Sequence, residues 1–517
     1  MNKFVASFLI VITLLSTTVF AHDIEEISFN CEQLGYDCFE NALADEYCYA
    51  GSDCAEGIYY CPEELPKTYP ATGMELMSSG DTLAQTLIQG WENLQESINI
   101  REYNIPRSGI GDAYRGVLYS NPIYYYVKSG FSYSYTWDGY IASVLPNYTC
   151  TDKNEINATI AEIEKATDEI LFHIDPGMSD VEKIMTVHDY MIFHYDYDTV
   201  SEEPNRNLLI MTEKKGVCMA YTFAFTHLMN KLGIETRYVS SEEMNHAWNL
   251  VNVNREWFHI DLTWDDPVYK NPEISPHYRA CHKYALLSDD KISSMDNPHY
   301  GYNLGELSAT SHMYDDALWH DGTSAIVTID DNSFWVEGNN IVCEHGDIIY
   351  ENLDGGDSFW NASEFRGWSD TVYGGVAGYN SKLYFNTDNG IYSYNPETKS
   401  TELVHSEYGI TGMSIDGNVI YYDKYDIETG TFVTESIHLE NICYSHPYIE
   451  NGKIIAKVYK DTDEPTKIFS SCNGCFGYTS VESSGLSVVE FDASDDAYLY
   501  FWDENLKPLR EKLKVVK

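Results

Sequence analysis

The stretch that decides the fold runs from Gly216 to Pro267 and reads GVCMAYTFAFTHLMNKLGIETRYVSSEEMNHAWNLVNVNREWFHIDLTWDDP. Its first part predicts a helix that begins at or near Cys218, because apolar residues recur at helical spacing up to Leu232 and Gly233 then ends the pattern. A cysteine at a helix N-terminus lies beside free backbone N–H groups and the positive end of the helix dipole, which favour a thiolate. Taken alone, Cys218 is more simply an inert buried cysteine or half of a disulfide.

The second part predicts a β-hairpin, with strands over 246–253 and 256–263 joined at Asn254-Arg255. A two-residue turn puts His246 and Asp261 on one face as diagonal neighbours, about 7–8 Å apart. A three-residue turn would put them on opposite faces. An ordinary half-buried hairpin is the alternative. A cysteine, a histidine and an aspartate in this order nevertheless supply the nucleophile, base and orienting group of thiol-dependent acyl transfer.

These motifs resemble the transglutaminase-like superfamily of papain-like thiol enzymes. The block GVCMAYTFAF…LMNKLGIETRYV is similar to the family's cysteine helix, NHAWNLV to its histidine strand, and WFHIDLTWDDP to its aspartate segment. The resemblance implies an α+β papain/transglutaminase-like catalytic domain, placed here at 71–303. It also implies that Cys218 is the nucleophile, His246 the general base and acid, and Asp261 the orienting carboxylate. A second oxyanion donor is implied upstream of the cysteine, and the sequence does not place it.

Other side chains near these motifs are weaker candidates. Trp248 and Trp264 flank the three residues and could wall a substrate groove, while packing of the hairpin on its sheet is the alternative. His188 and His194 lie on a predicted helix capped by Ser179. We interpret both histidines as core or surface residues that could act only from behind the site.

The N-terminus predicts export. Residues 1–21 combine a basic Lys3, an apolar run over 4–15 and a small-residue end at Ala21, which is typical of a cleaved signal peptide. A membrane anchor is the alternative, but the run is short and interrupted by Thr and Ser. No later segment is apolar enough to span a bilayer. The sequence therefore predicts a secreted or cell-surface protein with no membrane span after signal removal.

The charge excludes several kinds of partner. The chain has 32 basic and 81 acidic residues, which gives a formal net charge of −49. Such a chain repels phosphate backbones and anionic lipid headgroups, so no nucleic-acid or membrane partner is predicted. Acidity would suit Ca²⁺, but no spacing of a Ca²⁺-binding loop is visible. No cofactor and no metal ligand are therefore predicted.

The twelve cysteines predict disulfides in an exported chain. Five of them lie in the acidic, Cys-rich N-terminal segment 22–70, and because five is odd, one could pair with Cys150. A zinc site is less favoured, since that segment has no CxxC pair. The motif Cys472-Asn-Gly-Cys475 is interpreted as a local disulfide. Whether 22–70 is a propeptide stays open.

Beyond about residue 303 the pattern changes to short β runs between turn residues. Region 304–444 carries a weak repeat, in which aligning Phe334, Leu383 and Ile420 gives spacings of 49 and 37 residues. This is near the length of a propeller blade, about 40–50 residues. Fewer than four such units fit, so propeller-like repeats and an open β module are both possible. Residues 445–517 predict a small β-sandwich. The fold class is thus an α+β domain followed by all-β C-terminal modules.

The sequence as a whole predicts an exported thiol-dependent enzyme that acts on amide bonds of a protein or peptide substrate through a Cys218 thioester. A peptidase or amidase would hydrolyse the thioester, and a transglutaminase would pass it to an amine. The C-terminal β modules are predicted to bind a partner or a cell-surface polymer. The alternative is a catalytically silent adhesion or scaffold protein, which the long β-rich half and the 43 tyrosines would suit. A peptide-from-glycan amidase is a further possibility with the same chemistry.

Overall fold

The structure is a computed structural model of the 517-residue chain. It describes residues 59–61, 82–174, 177–198, 200–201, 204–266, 280–322, 324–329, 332–351, 353, 375–379, 381–387, 389–416, 418–426, 429, 431–439, 442–444, 448–450, 453–460, 466–472, 475–481, 485–492, 498–502 and 513–514. The predicted signal peptide 1–21, and the Cys-rich segment 22–70 apart from 59–61, lie outside the described residues.

The described residues of 1–63, 95–110 and 129–147 form one compact unit, and those of 64–94, 111–128 and 148–517 form a second. The smaller unit is built on an antiparallel sheet of order β1-β3-β4-β2. Its strands are β1 Tyr59–Cys61, β2 Ile98–Asn99, β3 Val127–Tyr135 and β4 Ile141–Tyr148. The domain boundaries expected after residues 303 and 444 stay predictions.

The helices begin where the sequence offers caps. Thr82 and Ser179 each accept a hydrogen bond from the third backbone N–H of the helix that they precede, and Gln85 and Glu182 bond back to complete two capping boxes. The α-helices are α1 Leu83–Glu92, α2 Ile110–Ser120, α3 Lys153–Leu171, α4 Asp180–His194, α5 Ile210–Glu213, α6 Cys218–Leu232, α7 Leu262–Asp265 and α8 Asp289–Ser294. Short 3₁₀ turns occupy Arg101–Tyr103, Arg107–Gly109, Pro122–Tyr124 and Leu318–Asp321.

The centre of the larger unit is an antiparallel sheet of order β10-β9-β8-β7, against which α6 packs. Its strands are β7 Thr236–Ser241, β8 His246–Val253, β9 Glu256–Ile260 and β10 Ala285–Leu287. A parallel pair, β5 Asp196–Tyr197 and β6 Lys215–Gly216, lies just before α6. Apolar faces of α3, α4 and α6 meet the sheet in one buried cluster, which includes Ile163, Val187, Phe225, Val251 and Phe258.

The predicted hairpin register is confirmed, but its second strand is shorter than predicted. Asn254 and Arg255 both have positive φ, 54° and 72°, as a two-residue type I′ turn requires, and Val253 pairs with Glu256. The expected strand through Thr263 is wrong, because β9 ends at Ile260 and the chain turns into α7. His246 and Asp261 still meet. Asp261 reaches the histidine from the helix cap rather than from the sheet face.

The C-terminal region forms antiparallel sheets, as predicted. The first three have orders β11-β12-β13-β14, β15-β16-β17-β18 and β19-β20-β21, followed by β22-β24-β23 with β27 on β24, and by β26-β25-β28-β29. A closed propeller is not shown by the described strands. The strands are β11 Val327–Ile329, β12 Asn332–Glu337, β13 Asn340–Cys343, β14 Ile348–Glu351, β15 Val376–Tyr379, β16 Lys382–Thr387, β17 Gly390–Asn395, β18 Ser400–Ser406, β19 Ile410–Asp416, β20 Val419–Asp426, β21 Thr431–His438, β22 Ile442–Tyr444, β23 Tyr448–Glu450, β24 Lys453–Lys460, β25 Thr466–Cys472, β26 Cys475–Val481, β27 Gly485–Asp492, β28 Tyr498–Trp502 and β29 Leu513–Lys514.

The weak sequence repeat corresponds to a structural repeat. Phe334, Leu383 and Ile420 lie on the second strands of the first three sheets, β12, β16 and β20, and all three are buried. The first of these sheets also shares the apolar core of the helices, since Trp335 and Val342 belong to the same buried cluster as residues of α4 and α6. The repeat region is therefore packed onto the helical core.

The cysteines of the described chain include four free thiols, Cys150, Cys218, Cys281 and Cys343. The proposed partners of Cys150 lie in the 22–70 segment, so that pairing stays a prediction. Cys472 and Cys475 are paired in register across the β25–β26 turn, and a disulfide there also stays a prediction. Among the described helices, none combines the length and the apolar character that crossing a bilayer would require.

We expect Gly216→Ala to destabilise the protein. A Cβ at Gly216 would lie 2.8 Å from the Ala220 Cβ and 3.1 Å from both the Asn205 carbonyl oxygen and the Ile210 Cδ1. Overpacking of this kind costs about 1–3 kcal/mol. Urea unfolding should show a loss of that size. Gly109→Ala is the control, because its nearest neighbour would be the Pro106 Cγ at 3.6 Å. Equal stability of the two variants would contradict tight packing around β6.

Candidate active site

Cys218 is placed by the strand that precedes it and by the start of its helix. Tyr197 on β5 pairs with Gly216 on β6, and Val217 continues as extended backbone with φ −107° and ψ 178°. Val217 has no capping side chain, so the cap residue itself does not occupy the first backbone N–H groups of α6. The Cys218 thiol is free and half-buried. The predicted helix start is therefore where the structure places it.

His246 and Asp261 meet in a direct hydrogen bond. The His246 Nε2 atom lies 2.6 Å from the Asp261 Oδ2 atom, and both residues are buried. Asp261 is the N-cap of α7, and its Oδ1 atom accepts from the backbone N–H groups of Thr263 at 3.0 Å and Trp264 at 3.2 Å. The His246 ring also contacts Cys218 through a side-chain hydrogen bond. Because Nε2 faces Asp261, Nδ1 is the nitrogen that remains for the thiol.

The electrostatics of the three residues favour an ion pair. Burial lowers the pKa of His246, but the Asp261 carboxylate and the Cys218 side chain raise it more, to about 10. Burial raises the pKa of Asp261, and its bonds with His246 and a second histidine, His299, lower it well below its ordinary value. Below pH 10 His246 is therefore the protonated partner of an ionised Asp261. A protonated imidazole beside Cys218 stabilises the thiolate.

Cys218 and His246 open together onto a cleft. Its remaining walls come from β5, the segment before α5, β7 and the β7–β8 turn. The polar residues among them are Tyr197, Arg206, Tyr238, Ser240, Ser241, Glu242 and Asn245. The cleft thus offers hydroxyl, amide and charged groups within reach of the thiol.

Tyr197 is a candidate functional residue that the sequence did not single out. Its phenol oxygen contacts the backbone N–H of Cys218, which lowers the pKa of the phenol, while burial raises it by more. The β5–β6 pairing fixes this position, since Tyr197 lies opposite Gly216, two residues before the cysteine. The HYDYD run at 194–198 contains the residue, but only the strand pairing shows that it reaches Cys218.

The two tryptophans occupy different positions. Trp248 is 1% exposed, its indole N–H donates to the His259 Nδ1 at 2.9 Å, and its ring stacks behind His246 at 5.7 Å. This placement supports a packing role rather than substrate contact. Trp264 is half-buried and lies 5.5 Å from the His246 ring, so substrate contact at Trp264 stays a prediction.

His299 is a second residue that the sequence did not reveal. Its Nε2 atom lies 2.7 Å from the Asp261 Oδ2, the same oxygen that His246 binds, and the side chain is fully buried. It lies in the segment after α8, 38 residues beyond Asp261, and no local motif marks it. Tertiary folding alone brings it to the site.

A separate buried cluster lies at the other end of α7. His188 lies between Asp189 at 3.0 Å and Asp265 at 3.2 Å, and His282 lies 2.6 Å from Asp189. The second oxygen of Asp189 accepts the backbone N–H of Ile326 at 2.6 Å. Burial lowers the pKa of His188, but the two carboxylates raise it more, to about 9. His188 is thus a buried ion-pair residue behind the site, and its helix neighbour His194 lies apart from this cluster, at the end of α4.

Within the described residues, two groups offer three metal-ligating atoms within 4.8 Å of one another: His188, Asp189 and His282, and His246, Asp261 and His299. Ligands on a tetrahedral zinc ion with bonds of ~2.0 Å are separated by ~3.3 Å. Each group instead contains a histidine–aspartate distance of 2.6 Å, which is that of a direct hydrogen bond. The distances fit hydrogen-bond networks better than metal sites. The absence of a cofactor stays a prediction.

The comparisons with known proteins concern the domain that contains the site. Residues 169–262 match the model of the transglutaminase-like superfamily, so the chain carries a transglutaminase-like domain. This range includes the three residues that meet at the cleft. No curated protein matches the chain.

Several solved structures resemble parts of the chain. A TGase structure has 16% sequence identity, covers 27% of this chain and 45% of its own, and has a TM-score of 0.20. The extracellular domain of the one-component system BT4673 from B. thetaiotaomicron has 10% sequence identity and a TM-score of 0.17. That match covers 54% of this chain and 50% of the BT4673 domain. PorZ, a surface component of the type-IX secretion system of Porphyromonas gingivalis, has 8% sequence identity and a TM-score of 0.14. That match covers 54% of this chain and 45% of PorZ. The chain thus spans about half the length of these structures or less.

We expect Asp189→Asn to lower the free energy of unfolding by about 3 kcal/mol near pH 6, because removing one partner of a buried ion pair leaves His188 less compensated. The raised pKa of His188 contributes stability that is fully present below about pH 6.5 and is lost as the pH rises through about 9. The difference between wild type and variant should therefore shrink by pH 10. Urea unfolding at both pH values measures it.

Asp290→Asn is the control for this experiment, because the ion pair that Asp290 forms among the described residues, with His312, is exposed. It should leave the unfolding free energy unchanged at both pH values. A pH-independent effect of Asp189→Asn would contradict the ionised His188.

Proposed function

We propose that this protein is an exported thiol-dependent acyl-transfer enzyme that acts on amide bonds of proteins or peptides. The observation that carries the proposal is a free, half-buried thiol at a helix start, in contact with a histidine that lines the same cleft and is bonded at 2.6 Å to a buried carboxylate. Each group has the role that the family resemblance implies: Cys218 is the nucleophile, His246 the general base and acid, and Asp261 the orienting group.

The reaction proceeds in two halves. The Cys218 thiolate attacks the amide carbonyl carbon, and the carbonyl oxygen becomes an oxyanion. The C–N bond then breaks, His246 gives its Nδ1 proton to the leaving amine, and a thioester remains. In the second half water or a substrate amine attacks the thioester and gives its proton to His246, and the thiolate leaves. Hydrolysis gives a peptidase or amidase, and attack by an amine gives a transglutaminase.

The oxyanion would be held by the Tyr197 hydroxyl, whose oxygen accepts a hydrogen bond from the Cys218 backbone N–H and whose residue lines the cleft beside the thiol. An oxyanion that displaces this bond would also accept from the Cys218 N–H itself. A phenol whose pKa is raised stays protonated and can donate a hydrogen bond to the developing negative charge. Tyr197 thus takes the place of the upstream donor that the family resemblance implies.

The remaining regions would serve delivery and targeting. The signal-like 1–21 segment supports a secreted or cell-surface location, and the cysteines crowded into 22–70 suit such a location. The C-terminal sheets would act as propeller-like repeats over 304–444 and a small sandwich over 445–517, and would bind a cell-surface polymer. Their support is the regular succession of antiparallel sheets. A catalytically silent scaffold is the alternative, and the first experiment below separates the two.

We expect a small alkylating agent at pH 7 to label Cys218 at least ten times faster than a free thiol, and Cys218→Ala to abolish this labelling and all turnover of peptide amides. The reason is that the His246 imidazolium holds the thiolate in place. Peptide mapping identifies the labelled cysteine. Cys150→Ser is the control, because Cys150 is also free and half-buried but lies outside the cleft. An inert Cys218 in a folded protein would favour the scaffold.

We expect Tyr197→Phe to lower kcat/KM by about 10²–10³-fold, the usual loss for one oxyanion donor. Alkylation of Cys218 should stay within twofold of wild type, because alkylation forms no oxyanion. Ammonia release from a glutaminyl peptide and incorporation of a labelled amine are the two turnover measurements. Tyr300→Phe is the control, because it removes the same hydroxyl group from an exposed residue outside the cleft. Equal losses of alkylation and turnover would mean that Tyr197 positions the Cys218 thiol and does not donate to the oxyanion.

A further inference from the structure

The Asp261 carboxylate receives more hydrogen bonds than a carboxylate that only orients a base requires. Its Oδ1 atom accepts from two backbone N–H groups at the start of α7, at 3.0 and 3.2 Å. Its Oδ2 atom lies 2.6 Å from the His246 Nε2 and 2.7 Å from the His299 Nε2. The two backbone bonds alone fix the plane of the carboxylate, so the bond from His299 has another consequence.

We propose that His299 is a positioning residue of this site, which shares the Asp261 Oδ2 atom with His246 and thereby limits how strongly the carboxylate holds the His246 imidazolium. This inference rests on the proposed acyl-transfer function. It assigns to His299 no contact with substrate, because the side chain is fully buried and is absent from the cleft walls.

The surroundings of His299 hold its ring in one orientation. It lies edgewise to Trp248 at 4.7 Å and against Trp264 at 4.3 Å, and its backbone N–H donates to the Ile292 carbonyl at 3.0 Å. Its Nδ1 atom has no partner among the described residues, so the tautomer with a proton on Nε2 donates to Asp261 and leaves one buried acceptor unbonded, whereas a protonated ring would leave a charged donor unbonded, which costs more. A neutral donor withdraws charge from Oδ2 without adding a second positive charge beside His246.

The consequence for the reaction follows from the two tasks of His246. As the partner of the thiolate it must be positively charged, and as the acid for the leaving amine it must release its proton. Burial lowers the pKa of His246, and Asp261 and Cys218 raise it to about 10, which already makes the imidazolium a weak acid. Without the hydrogen bond from His299, the Asp261 carboxylate would raise the pKa of His246 further and slow the release of its proton. His299 therefore improves proton delivery and weakens the thiolate–imidazolium pair slightly.

The other titratable groups that face Asp261 or His299 do not change charge near neutral pH. Burial raises the pKa of Tyr284 and of Tyr197, and burial lowers the pKa of His259, whose Nε2 lies 2.8 Å from Asp289. These neighbours therefore add no change of charge beside the Asp261–His246 pair near neutral pH.

The test compares His299→Met with His299→Gln. The two replacements have similar lengths, and only the glutamine amide can donate to Asp261. In His299→Met the pH of half-maximal Cys218 alkylation by iodoacetamide should fall by about half a unit, because the imidazolium is held more strongly. The kcat/KM for a peptide amide should fall about 3–10-fold, and its alkaline limb should move to higher pH. His299→Gln should retain the wild-type profile for all three quantities.

A proton NMR measurement tests the same inference without a substrate. Wild type should show two downfield imidazole N–H signals, one for each histidine bonded to Asp261. His299→Met should lose one of them and move the other further downfield, and His299→Gln should leave the His246 signal in place. Should the methionine variant fail to fold, His299→Leu takes its place as the variant that cannot donate to Asp261. A shifted alkylation profile in the non-donating variant together with a wild-type profile in His299→Gln supports the shared carboxylate, and the same profile in both variants overturns it.

The outcomes also separate this inference from the proposed function. Methionine and glutamine variants with identical, wild-type pH profiles would overturn the role of His299 and leave the enzyme intact. Parallel losses of alkylation and turnover at every pH in both variants would mean that His299 only fills space. A wild-type Cys218 that reacts no faster than a free thiol would remove the proposed function itself.

Discussion

The buried Asp261 carboxylate is the constraint on which the rest of the site depends. An ionised carboxylate with so little exposure is stable only if its oxygens are fully bonded, and here four N–H groups bond it: two from α7, one from His246 and one from His299. These bonds set the orientation of His246, and that orientation leaves its second nitrogen for Cys218. One side chain thus caps α7, orients His246 and keeps its own buried charge fully hydrogen-bonded.

The single turn of α7 links this site to the ion-pair cluster behind it. Asp261 caps the start of the helix and Asp265 ends it, only four residues later, and both are buried. Asp265 bonds His188 from α4 and the backbone N–H of Tyr284. A helix too short to be stable alone is thereby held at both ends by charged hydrogen bonds. The Asp261 carboxylate is positioned by the same cluster that stabilises the core.

The C-terminal sheets extend the same core. Asp189 accepts the backbone N–H of Ile326, just before β11, and Trp335 of β12 is buried with the apolar residues of α4 and α6. The junction combines a buried hydrogen bond to a charged group with a large aromatic contact. The first β sheet is therefore part of the structure that supports the site. The next two sheets also pair their first two strands as antiparallel neighbours, and Leu383 and Ile420 lie on the second strand of each.

The sequence by itself determined the features that depend on local chemistry. The start of α6 at Cys218, the two-residue turn at Asn254-Arg255 and the second-strand repeat positions all follow from periodicity, turn residues and spacing over a few residues. It failed where long-range packing decides, as when β9 ended at Ile260 and Asp261 became a helix cap. Tyr197 and His299 carry no local signal, because a parallel strand pair and a distant loop bring them to Cys218 and Asp261. Only the tertiary structure decided where they lie, since a buried polar group takes its hydrogen-bond partners by proximity in space and not by separation along the chain.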